Sequence, residues 1–298
     1  DSCRQHQPRP DRAGQPYRKS ICDKGDRFMK DIDIAKRFTV LFSNRTVRQV
    51  LFMTVLAAVW ESVAMTGYVP PLLFPRFSHV IQALIKETLT GEVLGRTWFS
   101  LNLVATGLGL ATISAVLATA FAMCSPLASE CIETLMSILH PLPGIAILPI
   151  VILWLGTGTG AISAVIWFAA VWPLVANLHT GLRSVPITQI EAGRNLGLRG
   201  IRLVRTVLIP GAFPHILSGL RVAWARAWQA LVASEMVFGA CGGDGGLGWF
   251  IYKRRFFMEV PGVFAGMIVI VLIGLIVERI GFAQIEIRTV RRWGMTLE

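Results

Sequence analysis

The chain has 298 residues and a mass of 32.7 kDa, with 53% hydrophobic residues, 16% charged residues and a mean hydropathy of +0.58. A water-soluble domain carries about 25% charged residues, and disordered chains are poor in apolar ones, so both classes are excluded in favour of a membrane protein. The formal net charge of +11 reads as cytoplasmic flanking charge, not as a nucleic-acid footprint, and no nucleic-acid partner is expected.

Residues 1–49 form a basic, predominantly polar tail with twelve Lys or Arg and six Asp. They lack the apolar core and cleavage site of a secretory signal. Met29 opens a conventional-looking stretch, so residues 1–28 are expected to be dispensable. From residue 50 to 298 the chain reads as one transmembrane domain. Apolar runs near the length of a bilayer-crossing helix occur at 50–68, 98–122, 134–155, 160–179, 216–238 and 262–282. The expected fold is all-α with six transmembrane helices. Within the third run, Pro141, Pro143 and Pro149 each remove a backbone donor. Such breaks persist in a membrane only against protein or a water-lined cavity, so that segment is expected to face a protein interior. The amphipathic stretch 79–89 is too short and too charged to cross and reads as an external surface helix.

With the N-terminus inside, cytoplasmic segments hold twenty-one Lys or Arg and external segments six. This places both termini in the cytoplasm. Lys253, Arg254 and Arg255 then fall outside, against the rule, and the sequence offers no account of them. Cysteines 3, 22, 124, 131 and 241 contain no C-x-x-C pair and read as free thiols. The glycine-rich run Gly242–Gly248 lacks the lysine of a phosphate loop and reads as a tight turn.

The informative segment is 185–214, VPITQIEAGRNLGLRGIRLVRTVLIPGAFP. Pro186 suits a helix start and Gly200 a break between two short helices. Ala192, Gly193 and Gly197 form a small-residue surface suited to close backbone approach. Arg199, Arg202 and Arg205 line an amphipathic second helix. Glu191-Ala192-Gly193 followed by Gly197, and Pro210 closing Val207-Leu208-Ile209-Pro210 after nine further residues, resemble the coupling loop of ATP-binding-cassette (ABC) importer permeases. That pattern is E-A-A-x-x-x-G, nine residues, I-x-L-P; Gly193, Val207 and Ile209 are the departures. Residues 140–158 and 230–251 resemble the nitrate/sulfonate/taurine/bicarbonate permease subfamily.

The resemblance implies a type I importer permease in the inner membrane, with no catalytic residues, metal or cofactor of its own. ATP would be bound by a separate cytoplasmic ATPase, docked at Glu191, Ala192, Gly193, Gly197 and Pro210. A periplasmic solute-binding protein and a second permease subunit, expected to be an identical copy, are the other partners besides membrane lipid. Gly197 is expected to need smallness, so that a bulky charged residue there uncouples transport. The intramembrane charges Arg226 and Glu235 are candidates for the translocation pathway, whereas Arg221 is expected to snorkel and His179 to be interfacial. A non-transporting membrane scaffold or sensor leaves the loop spacing unexplained. A membrane-embedded enzyme lacks a convergent acid/base set.

Overall fold

The structure, a computed structural model, describes residues 45–239, 245–290 and 292. Within them every regular element is helical. The chain divides into two units, Asp1–Tyr68 and Val69–Glu298. The first contributes α1, Arg45–Met65, long and apolar enough to cross a bilayer. The basic tail up to residue 44 and Cys241 lie outside the described residues, whereas Cys124 and Cys131 are exposed free thiols.

The second unit begins with α2, Phe77–Leu89, and α3, Glu92–Ala122. Next come α4, Pro126–Leu139, a 3-10 turn at Gly144–Ile147 and α5, Leu148–Leu155. α6 spans Thr159–Arg183, α7 Ile187–Asn195 and α8 Gly200–Phe238. α9, Leu247–Phe256, and α10, Val260–Arg288, complete it. Five helices have the length and composition of membrane spans, or six when the bent pair Pro126–Leu139 and Gly144–Leu155 counts as one.

That pair corrects the reading of residues 134–155 as one kinked span. α4 starts cleanly, since Ser125 Oγ accepts the Ala128 N–H at 3.2 Å and Pro126 occupies the first turn, where its missing donor costs nothing. It stops at Leu139, because Pro141 and Pro143 remove donors and push the preceding residues out of helical geometry. The axis then turns by 90°. Gly144 fits the turn against α6: a Cβ there would stand 2.6 Å from Ala169 Cβ.

α6 is the central element. Ile162, Val165, Ile166, Ala170, Leu174 and Val175 along it are buried. It runs parallel to α3 and antiparallel to α8, and the close approaches are made by glycine. A Cβ at Gly107 of α3 would stand 2.5 Å from Ile166 Cγ2, and one at Gly219 of α8 would stand 2.6 Å from Asn177 Cβ. Where lipid tails are as apolar as the core, such close backbone packing replaces the hydrophobic drive between helices. Bulky apolar side chains such as Leu117, Val271 and Leu275 point outward, as a lipid-facing surface requires.

The second short helix expected after Gly200 does not exist as a separate element. Gly200 opens α8, which continues to Phe238 without a break. A π-type turn at Val204–Leu208 precedes Pro210, whose missing N–H leaves a carbonyl in that turn without its ordinary partner. His179, one turn from the end of α6, is packed inside the bundle. It is 4% exposed, with Nε2 3.3 Å from Ser129 Oγ and 3.3 Å from Glu133 Oε1. Arg221 does not simply snorkel, because its guanidinium reaches Glu286 Oε2 at 2.7 Å and Glu278 Oε1 at 3.3 Å across to α10.

Candidate functional site

Three features carry the residues singled out above: the loop end of the bundle at α7, the opposite end at α9, and a cavity between them. At the loop end, Pro186 precedes α7 and Gly197 closes it. The Leu198 N–H bonds to the Gly193 carbonyl at 3.0 Å and the Gly197 N–H to the Arg194 carbonyl at 2.9 Å. This double closure is a Schellman motif, which calls for a left-handed residue at the position Gly197 holds. Its φ is +80°, and nothing lies within 4 Å of where a Cβ would be. Within this chain, therefore, Gly197 answers a backbone requirement and not a demand for small size.

Gly193 does the opposite. It is buried, and a Cβ there would stand 2.9 Å from Leu203 Cδ1 and 3.0 Å from Val207 Cγ2, so it lets α7 close onto the start of α8. Ala192, Gly193 and Gly197 consequently do not share one surface. Glu191 and Ala192 are exposed, Gly193 packs inward, and Pro210 is half-buried in α8. The outward surface includes three apolar side chains that the pattern did not single out: Ile187, Leu196 and Ile201, at 60%, 82% and 70% exposure.

At the other end, Glu235 is 1% exposed and its carboxylate is fully engaged. Ser100 Oγ donates to Oε1 at 2.7 Å, and the Gly248 N–H donates to Oε2 at 2.7 Å. The Leu247 N–H donates in turn to Ser100 Oγ at 2.9 Å. The described part of the glycine run is thus the cradle of a buried carboxylate: a Cβ at Gly246 would overlap Glu235 Oε1 and Ser100 Oγ. Residues 240–244 lie outside the described residues.

The Lys253-Arg254-Arg255 cluster also has a physical account at its middle member. Arg254 pairs with Glu87 of α2 at 2.8 Å, with Glu92 of α3 at 3.0 Å, and with Glu259 before α10. Its charge also lies 5.1 Å from the centre of the Phe250 ring. Burial alone would lower the pKa of this guanidinium, but Glu259, Glu87 and Glu92 outweigh burial and raise it. One cation therefore ties the end of α2 and the start of α3 to the α9–α10 turn, more than 160 residues away in sequence. Replacing Arg254 by alanine leaves the buried Glu87 carboxylate without its cation. The expected cost is about 3 kcal/mol, read as a lower melting temperature of the purified protein in detergent, with Arg254→Lys intermediate.

Arg226 and Glu235 are not brought together. Arg226 lines a cavity of about 200 Å³ that also receives His140, Pro143, Phe168, Trp172 and Gln229, whereas Glu235 is not among its lining residues. The cavity lies where the proline-broken segment meets α6 and α8. Sequence reasoning flagged the break but had no signal for His140, Trp172 or Gln229, which converge only through tertiary packing.

Comparison with known proteins places these features. Residues 107–284 match the family described as binding-protein-dependent transport system inner membrane component. The taurine transport system permease protein of Escherichia coli is 30% identical over 76% of this chain and 82% of its own length. The nitrate import permease protein of Synechocystis is 26% identical over 80% and 88%. Among solved structures, the inward-facing methionine ABC transporter superposes with a TM-score of 0.56 at 16% identity. It covers 67% of this chain and 96% of that one, which supports the fold alone.

Proposed function

We infer function from one premise: the chain belongs to the family of binding-protein-dependent transport system inner membrane components. It is the permease subunit of an ABC importer and a multi-pass protein of the inner membrane. Family membership implies an ATPase and a solute-binding protein as partners.

We further propose that α7 is the lever on which the ATPase acts. The observation that carries this is the exposure of Glu191 and Ala192 beside the apolar residues Ile187, Leu196 and Ile201, on a helix packed against α8 through Gly193. Apolar side chains on the outer surface of a short helix, set among the exposed charges of Glu191 and Arg194, suit a protein groove with a polar rim. A second, identical permease subunit completes the membrane assembly, and both termini lie on the ATPase side. The cargo is a small solute bearing an oxyanion group: nitrate, a sulfonate or taurine, as in the relatives' names, or bicarbonate. Co-purification from membranes tests the docking. The wild-type chain is expected to retain its ATPase, and Ala192→Arg to lose it; retention by Ala192→Arg would contradict α7 as the docking element.

A further inference from the structure

The cavity between the bent segment, α6 and α8 is not explained by packing, and its lining is chemically one-sided. Arg226 stands midway along α8, exposed at the mouth of the cavity, and makes no hydrogen bond or ion pair among the described residues. The other cations held by the bundle are matched: Arg96 by Glu92 at 2.7 Å and Arg221 by Glu286 at 2.7 Å. An unmatched guanidinium within an apolar span is costly unless it meets water or an opposite charge. No Asp or Glu lines the cavity, so the chain itself does not supply that charge.

The neutral groups around Arg226 point the same way. Trp172 lines the cavity beside Phe168. Gln229 and His140 add further polar groups. Phe168, Pro143 and Ile145 form an apolar wall suited to a short alkyl group. The volume of about 200 Å³ is several times the ~30 Å³ share of one water molecule, enough for a small organic anion.

We propose that this cavity is an oxyanion-selective site on the transport path. Arg226 binds the oxygens of a sulfonate, nitrate or bicarbonate, and Gln229 and His140 complete the hydrogen bonding. The planar guanidinium presents parallel N–H donors that match two oxygens of such a group. Selectivity for charge then resides partly in the permease and not only in the delivering protein. The proposal rests on the anion-importer reading and deepens it.

The test uses the complete transporter in liposomes, assayed for ATP-driven uptake of radiolabelled taurine, ethanesulfonate, nitrate and bicarbonate. ATPase capture reports folding of each variant. Arg226→Gln is expected to lower uptake of the transported solute at least tenfold and Arg226→Lys to keep a substantial part of it. Should Arg226→Gln not capture the ATPase, Gln229→Leu carries the test, with a several-fold rise in KM expected. Wild-type uptake by Arg226→Gln, or an unchanged KM in Gln229→Leu, would overturn the site while leaving the anion importer standing. Wild-type transporter that imports none of the four solutes would overturn the oxyanion reading and the site with it.

Discussion

Gly246→Ala is expected to prevent stable assembly of the end of the bundle around α9. The methyl group would overlap Glu235 Oε1 and Ser100 Oγ, and neither can retreat into solvent: Glu235 is 1% and Ser100 0% exposed. Moving the carboxylate also breaks the hydrogen bonds from Ser100 and from the Gly248 N–H, leaving a buried charge undersatisfied. Overpacking and lost hydrogen bonds to a charged group together cost about 3 kcal/mol or more. The measurement is the yield and melting temperature of detergent-purified protein. Ser100→Ala removes one donor without a clash and is expected to cost about half as much. A Gly246→Ala protein with wild-type yield and melting temperature would show that the Glu235 cradle is not closed as described.

Gly197→Val is expected to reduce ATP-driven uptake at least tenfold while the membrane domain remains folded. A β-branched residue at φ +80° is strained by roughly 1–2 kcal/mol. The strain falls on the two hydrogen bonds that close α7, so the cost is redirected into the orientation of the helix proposed to meet the ATPase. Gly197→Asn separates this account from one based on side-chain size, because asparagine tolerates the left-handed region. Asn is expected to keep most of the uptake that Val loses. Equal loss in both variants would return the explanation to the partner's need for a small side chain at 197.

The spans were readable because a bilayer sets the length of an apolar run independently of what the run packs against. The proline break was readable too, since the missing donors are local chemistry. Its 90° turn was not, because the turn depends on Gly144 meeting Ala169 across to α6. The same distinction separates the two glycines of the loop. Spacing placed Gly193 and Gly197 on one helical face, but α7 ends before Gly197, and the cap geometry assigns them unrelated tasks. The carboxylates of Arg254 lie at 87, 92 and 259, two of them more than 160 residues away in sequence; no local pattern reveals a pairing of that kind. From sequence Arg221 has only a nearby helix end to snorkel to, since Glu278 and Glu286 reach it only through the packing of α10 on α8.

Site-directed cross-linking tests the central claim most directly. In a background with the five cysteines replaced by serine, a single cysteine is placed at Ala192 on α7, or at Phe256 at the far end of the bundle, and a short bifunctional reagent is applied to membranes containing the ATPase. Phe256 is 72% exposed, so accessibility does not limit the comparison. A covalent product between the permease and the ATPase from position 192, changing in yield when ATP is added and absent from position 256, is the expected result. No product from position 192 in membranes where the ATPase is present, or equal products from both positions, would contradict the assignment of α7 as the coupling helix of an ABC importer.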